Sequence, residues 1–345
     1  MMGSVRAAII TGQGSIEWRE VPEPVPAPGG VVVDVAFCGI CGTDVHAYVH
    51  GGPYPPTLCG HEWSGTVSAR APDVRSVAEG DRVSVGILPA CGTCAECRAG
   101  LSEWCSTATL SVATDPAGSA HGAYAARIAV SAARVVPVPA ALSDEVAAMV
   151  EPATVAYHGI RRSGLRVGDI AVVLGAGPIG GFALQWARVG GARTVLVVEP
   201  SPARAALAQL LGADAVVAPG EEAVQAVMER TGGLGADVVV DCAGGPATVQ
   251  GAVDLVRRGG RVSLIGLSDV PATITPALWL FKEATVQGSV AYVQSDFAAC
   301  VAMLADGRVQ AEPLHTSTVG FEGLVGAFDV LAGGAPDQTK VLVRP

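Results

Sequence analysis

The sequence predicts an α/β chain of two domains, because two strand grammars meet near residue 150. Short β-branched or alternating segments separated by Gly, Pro and Asp clusters fill residues 1–150. From about 169 to 288, strands that are continuous Val/Ile/Leu runs alternate with helices, the pattern of a parallel sheet covered on both faces. The length of 345 residues accommodates two domains. Half the residues are hydrophobic and 16% are charged, so each part can bury a core.

Taken in order, "GVVVDVAF", "SGTVSAR", "DRVSVGIL" and "YAARIAV" read as strands. The proline-rich "VPEPVPAPGG" reads as a turn or an extended connector. "LSDEVAAMVEPATVAYHGIRRSG" is helical, with Ser143 as N-cap and Glu145 in the first turn. Then come strand "IAVVLGAG", helix "IGGFALQWARVG" ending near Gly190, strand "TVLVVE", and helix "SPARAALAQLLG" with Ser201 as N-cap and Pro202 at the first helical position. Strand "DAVVA", helix "EEAVQAVMERTG", strand "ADVVVDCAG", helix "PATVQGAVDLVRRGG" and strand "RVSLIGL" complete the alternation. The tail carries a helix, "SDFAACVAMLADG", and a last strand, "KVLVRP".

Composition narrows the partners. A net charge of −10 disfavours nucleic acid and anionic membranes. No run of 18 uncharged apolar residues and no signal-like start are present, so a cytoplasmic protein is expected. In that setting, nine clustered cysteines read as metal ligands or catalytic groups rather than disulfides, and their odd number agrees.

"LGAGPIGG" sets Gly175, Gly177 and Gly180 in a G-x-G-x-x-G array around Pro178 and Ile179, after a strand and at a helix start. Glu199 ends the next strand nineteen residues after Gly180. This context makes the motif a dinucleotide loop: Gly175 for the turn, Gly177 for approach of a pyrophosphate, Gly180 for helix–strand packing. The helix N-terminus adds N–H donors and a positive dipole. A carboxylate at Glu199 accepts ribose hydroxyls and repels a 2′-phosphate, so NAD is expected over NADP, although Arg204 nearby argues mildly the other way. The second domain is thus read as a Rossmann domain.

"CGTCAECRAGLSEWC" places Cys91, Cys94, Cys97 and Cys105 with gaps of two, two and seven residues. Four thiolates so spaced suit a closed tetrahedral zinc site, which contributes folding energy rather than chemistry. An iron–sulfur cluster uses similar gaps, but nothing nearby suggests electron transfer. "AFCGICGTDVH" is ambiguous by itself: Cys38 and Cys41 fit a redox pair, a metal knuckle, or one ligand beside a bystander. "TLCGHEWSG" sets His61 beside Glu62, and neighbours on an extended segment point to opposite faces, so joint ligation needs a turn or bulge.

Together, "GICGTDVH", "GHEWSGTV", "GDRV", the four-cysteine lobe, "VEPATVAYHGIRR", "VLGAGPIG", "GADVVVDCAG" and "GGRVSLIGL" resemble, in order and over nearly the whole length, the zinc-dependent medium-chain alcohol dehydrogenases of the polyol, threonine and butanediol type. The resemblance implies a GroES-like catalytic domain over 1–150 completed by 289–345, a Rossmann NAD-binding domain over 151–288, and an active site in the cleft between them. It implies a catalytic zinc on Cys41, His61 and Glu62, with Glu151 binding directly or through water, and a structural zinc on the four cysteines. Thr43 is then the hydroxyl that contacts the bound alcohol, and His46 a proton exit through the cofactor ribose. Cys38 and Cys59 are left as packing, Cys242 and Cys300 as core. His158 is read as packing; His50, His121 and His315 as surface. Tyr48, Tyr54, Trp63, Trp279 and Tyr292 receive no specific role.

The chemistry agrees with the resemblance. An open zinc site acidifies a bound hydroxyl, and the nicotinamide takes the hydride. NAD-linked exchange between a secondary alcohol or polyol and its ketone is therefore expected, in a homodimer or homotetramer with a small-molecule substrate. Three rivals share much of the pattern: a biosynthetic reductase for a larger cyclic or aminated substrate, a catalytically silent NAD-binding sensor, and a metal-free quinone-reductase relative. The joint presence of Cys41, Thr43, His61, Glu62 and Glu151 argues against the last two.

Overall fold

The computed structural model describes residues 3–345 and divides into two compact units. The first comprises residues up to Glu151, Val293–Ala305 and His315–Pro345; the second comprises Pro152–Tyr292 and Asp306–Leu314.

The chain starts with an antiparallel hairpin, β1 (Ser4–Gly12) and β2 (Ser15–Pro22). Strand β3 (Gly30–Gly39) leads into α1 (Gly42–His50), which the alternation did not foretell because it is only nine residues long and directly follows a β-branched run. Strands β4 (Glu62–Arg70) and β5 (Arg82–Val85) follow. Three helical turns, α2 (Ala95–Arg98), α3 (Ser106–Thr109) and α4 (Ser111–Thr114), precede β6 (Arg127–Ser131) and β7 (Val135–Pro137). The predicted long helix is two pieces, α5 (Asp144–Ala148) and α6 (Val150–Arg162), and Ser143 caps the first by accepting from the Val146 N–H at 3.2 Å.

The second unit holds a six-stranded sheet, parallel throughout. Its strands are β8 (Ile170–Leu174), β9 (Thr194–Val198), β10 (Ala215–Val217), β11 (Ala236–Asp241), β12 (Val256–Leu264) and β13 (Thr285–Gly288), in spatial order β10-β9-β8-β11-β12-β13. Parallel neighbours require crossovers, supplied by α7 (Pro178–Val189), α8 (Pro202–Leu210), α9 (Glu221–Thr231), α10 (Pro246–Leu255) and α11 (Pro276–Lys282). The order reverses at β8 and β11, the switch point where such sheets bind ligands beyond their carboxyl ends. Helix α10 stops at Leu255, five residues short of the predicted end, and the chain turns directly into β12. Gly259, at a φ of 66°, is incompatible with continued helix. Strand starts are clipped from outside: Asp237 accepts from the Ile170 N–H at 2.8 Å, and Asp214 from the Val195 N–H at 2.7 Å. The Trp186 indole is fully buried and donates to the Ala153 carbonyl at 2.8 Å, so its polar atom is satisfied within the core.

The tail returns to the first unit with α12 (Gln294–Ala305), β14 (His315–Gly320), α13 (Leu324–Ala332) and β15 (Lys340–Arg344). The first unit's larger sheet runs β14-β15-β3-β4-β5-β7, with β6 also paired to β3. Its core gathers alternate strand residues such as Val31, Val33, Val67 and Val83, together with Tyr124 from the loop before β6 and Phe328 from α13. Among the described residues no helix is long and apolar enough to cross a membrane.

Candidate catalytic and nucleotide sites

Three strands converge on one end of the first unit's sheet. Gly39 pairs with Glu62 across β3 and β4, and with Leu342 across β3 and β15. This register brings Cys41, His61 and Lys340 together from three distant parts of the chain. Cys41 is the N-cap of α1, its sulfur accepting from the Thr43 N–H at 3.4 Å. Thr43 and His46 lie on the same helix. Gly60, just before His61, has a φ of 74°, and a Cβ there would lie 2.7 Å from Cys38 Sγ, so only glycine lets the His-Glu segment pack this closely.

The His61 ring is held from two sides. Its Nδ1 lies 2.9 Å from the Leu58 carbonyl and 3.8 Å from Asp44, and the ring hydrogen-bonds Cys41. With Nδ1–H donating to that carbonyl, Nε2 carries the lone pair a metal needs. Burial opposes a charge on the ring, but Cys41, Asp44 and Glu151 outweigh it and hold its pKa well above the usual imidazole range.

Asp44 is completely buried on α1. Its carboxylate accepts from Tyr54 Oη at 2.7 Å and from Tyr124 Oη at 2.9 Å; burial still raises its pKa. Neither tyrosine was singled out from the sequence as a partner of Asp44. The signal was an acid three residues after Cys41 on a helix packed against the sheet: a buried carboxylate must find donors.

His61, just before β4, and Glu62, its first residue, meet different partners. The Glu62 carboxylate meets Lys340 Nζ at 2.5 Å, both side chains 2% exposed, and Lys340 also donates to the Ile40 carbonyl at 3.0 Å. Burial lowers the pKa of Lys340, but Glu62, Cys41 and Glu151 more than reverse this and raise it. Glu151, in the first turn of α6, is thus close enough to bias both His61 and Lys340. The four expected ligands form one electrostatic cluster but not a closed cage. Among the described residues, only Cys91, Cys94, Cys97 and Cys105 form a group of three or more donors all within 4.8 Å of one another.

That group fits a structural zinc. Two thiolates at about 2.3 Å from a tetrahedral ion stand about 3.8 Å apart, and Cys94 Sγ and Cys105 Sγ are 3.8 Å apart. Backbone N–H groups of Cys91, Thr93, Cys94, Cys97 and Ala108 point at the sulfurs at 3.3–3.5 Å, an arrangement that favours thiolates. Hydrogen bonds from Thr107 and Thr93 pull the Cys91 thiol down to about 5, whereas, against the Cys97 N–H, Glu96 and burial push Cys94 up to about 12, and burial raises Cys97. By contrast, Cys38 and Cys59 are buried singly; burial pushes Cys38 well up and Cys59 up to about 12, and the Cys59 sulfur accepts from the Ile10 N–H. Cys300 is buried on α12. His121, expected at the surface, is buried, because its Nδ1 bonds the Gly122 carbonyl at 2.8 Å beneath the Pro56–Cys59 turn. His158 is buried on α6.

In the second unit the glycine loop leaves β8 with Gly175 at a φ of 86°, and Gly177 is the N-cap of α7 with Pro178 at its first position. A Cβ on Gly180 would overlap the Gly175 carbonyl, whereas one on Gly177 would meet nothing within 4 Å. The loop is therefore tight where helix meets strand and open where a phosphate would approach. Glu199 Oε2 accepts from the Ala176 N–H at 2.7 Å, Oε1 from the Ser201 N–H at 2.8 Å, and Arg204 pairs with Oε1 at 3.0 Å. Oε2 retains a lone pair. Gly175, Glu199, Pro200, Arg204 and Ala243 line a cavity of about 1240 Å³, large enough for an adenosine moiety.

Comparison with known proteins is decisive for the family. Residues 27–140 match the alcohol dehydrogenase GroES-like domain, and residues 178–306 the zinc-binding dehydrogenase domain. The chain is 30% identical to (R,R)-butanediol dehydrogenase of Neisseria gonorrhoeae over 99% of both proteins. It belongs to the zinc-dependent medium-chain alcohol dehydrogenases. Two solved structures extend the likeness. An alcohol dehydrogenase of Escherichia coli, complexed with NADH, superposes with a TM-score of 0.88 at 28% identity, covering 99% of each chain. A zinc-binding dehydrogenase of Sinorhizobium meliloti, bound to NADP, superposes with a TM-score of 0.85 at 30% identity, covering 99% of this chain and all of that one. The dehydrogenase is accordingly an oxidoreductase of the GroES-like plus Rossmann type. It uses zinc and a nicotinamide dinucleotide to move hydride between an alcohol and a ketone.

Proposed function

We propose that this dehydrogenase oxidises a secondary alcohol or polyol with NAD, or reduces the matching ketone, at a catalytic zinc held by Cys41 and His61. The observation that carries the proposal is the His61 ring: fixed at Nδ1 by a backbone carbonyl, backed by a buried Asp44, and hydrogen-bonded to Cys41. Glu62 and Glu151 stand by as the carboxylates that complete the set. Zinc held there supplies Lewis acidity that favours loss of the hydroxyl proton, and NAD accepts the hydride.

The chain's own residues do the rest. Cys41 and His61 fix the metal's place; Asp44 and its tyrosines keep His61 from turning. The Thr43 hydroxyl orients the substrate hydroxyl and accepts its proton while releasing its own, and His46, one turn along α1, serves as the exit for that proton through the cofactor ribose. Residues 1–150 with 289–345 serve as the catalytic domain and 151–288 as the nucleotide domain. In the latter, Gly175, Gly177, Pro178, Ile179 and Gly180 receive the pyrophosphate on the α7 N-terminus. Glu199 offers its remaining lone pair to a ribose hydroxyl, while Arg204 is neutralised by Glu199, which supports NAD over NADP. Cys91, Cys94, Cys97 and Cys105 hold a second, structural zinc.

The working form is a homo-oligomer in the cytoplasm. Strand β13 is an edge of its sheet, and Leu280, Phe281 and Val290 around it are exposed, which suits pairing with a second copy. The butanediol relative supports a vicinal diol or polyol as substrate. An NAD-linked screen of diols, polyols, amino alcohols and cyclitols tests the reading. Turnover of a secondary diol or polyol is expected, and turnover confined to large cyclic or aminated compounds overturns the substrate class.

A further inference from the structure

Helix α1 carries a second histidine, His50, that the catalytic reading does not use. His46 and His50 stand at positions i and i+4, which share a face of an α-helix. Their ring centroids are 4.3 Å apart with planes at 30°, so the two imidazoles lie side by side. The His50 Nδ1 lies 3.2 Å from the His46 carbonyl; with Nδ1–H donating there, Nε2 carries the lone pair. His50 is exposed and His46 half-buried. The opposite face anchors the helix, with Ala47 and Tyr48 buried and Tyr48 Oη donating to Asp329 at 2.6 Å. Gly51 N–H closes the last turn on the Ala47 carbonyl at 3.0 Å.

We propose that His46 and His50 form a surface chelate for a divalent transition-metal ion of the Zn²⁺, Ni²⁺ or Cu²⁺ class, separate from the Cys41 and four-cysteine sites. Two imidazoles one helical turn apart on a rigid helix are a known way for a protein to grip such ions. Neutral imidazole nitrogen suits these borderline metals better than Mg²⁺ or Ca²⁺. The ion takes up the His46 lone pair, so an occupied chelate blocks proton exit and slows turnover. That consequence, unlike the binding, rests on the proposed role of His46.

The test uses the tag-free, zinc-loaded enzyme and its His50→Asn variant, which leaves the proposed machinery intact. The wild-type chain is expected to be retained on immobilised Ni²⁺, and micromolar Zn²⁺ added to the assay is expected to inhibit it. His50→Asn is expected to lose both properties while keeping its basal kcat and its bound zinc. Equal retention of His50→Asn overturns the chelate. Retention that depends on His50, without any inhibition by added Zn²⁺, leaves the chelate standing and contradicts the role of His46 in proton exit.

Discussion

Lys340 Nζ and the Glu62 carboxylate form a buried ion pair at 2.5 Å across 278 residues of sequence. The last strand therefore closes the end of the sheet that carries Cys41 and His61, and the Glu62 carboxylate there is held by an ammonium. Removing one member leaves an uncompensated buried charge. Lys340→Met is expected to destabilise the fold by about 3–5 kcal/mol in guanidinium unfolding. The double variant Lys340→Met/Glu62→Gln is expected to recover part of that loss. A Lys340→Met chain as stable as the wild type shows that the pair is not closed in solution.

Asp44 is expected to control metal affinity through His61 without touching the metal. Asp44→Asn is expected to weaken zinc at Cys41 and His61 about tenfold or more, read by chelator competition. Tyr54→Phe and Tyr124→Phe each remove a donor from the buried carboxylate and are expected to cost about 1–3 kcal/mol of stability. Unchanged affinity in Asp44→Asn removes its backing role.

The nucleotide domain has its own acid sensitivity. Burial raises the pKa of Asp237, but the Ile170 N–H and the Arg257 guanidinium at 2.7 Å outweigh it and hold the pKa below the usual carboxylate value. A depressed folded pKa means the contribution is complete above the unfolded value of about 3.9 and is lost as pH falls through the folded one. Asp214, held low by Val195 N–H and Arg188 against its own burial, acts in the same window. Asp237→Asn is expected to flatten the stability–pH curve below about pH 4; an identical acid limb contradicts the linkage.

Glu199 is expected to set cofactor choice. It organises the loop through Ala176 and Ser201 and neutralises Arg204. Glu199→Gln keeps most of the packing but frees the guanidinium, so kcat/KM for NAD is expected to fall and the ratio for NADP to NAD to rise by about tenfold or more. That factor corresponds to about 1.4 kcal/mol, the scale of one charge-assisted hydrogen bond. An unchanged ratio removes Glu199 from discrimination.

Much of this was legible in the sequence because it rests on local rules. The glycine loop, the Ser143 and Ser201 caps, and each strand–helix alternation after 169 follow from backbone conformation and burial within a few residues. The close grouping of the four cysteines was legible for the same reason, since their spacing lies within one loop. What was hidden is set by pairing over long distances. Nothing near Glu62 announces Lys340, and nothing near Asp44 announces Tyr124, eighty residues away. Helix α1 was hidden too, because its cap is a cysteine read first as a ligand. His121 misled because a turn-rich segment usually lies at the surface, whereas this one is folded beneath its own neighbours.

The central claim is that Cys41 holds a catalytic zinc distinct from the four-cysteine one. Metal content by mass spectrometry, measured beside NAD-linked turnover in purified Cys41→Ala, tests it most directly. The account predicts a folded protein that falls from two zincs per chain to one and loses activity. A Cys41→Ala chain that keeps both zincs, or turns over at the wild-type rate, contradicts it.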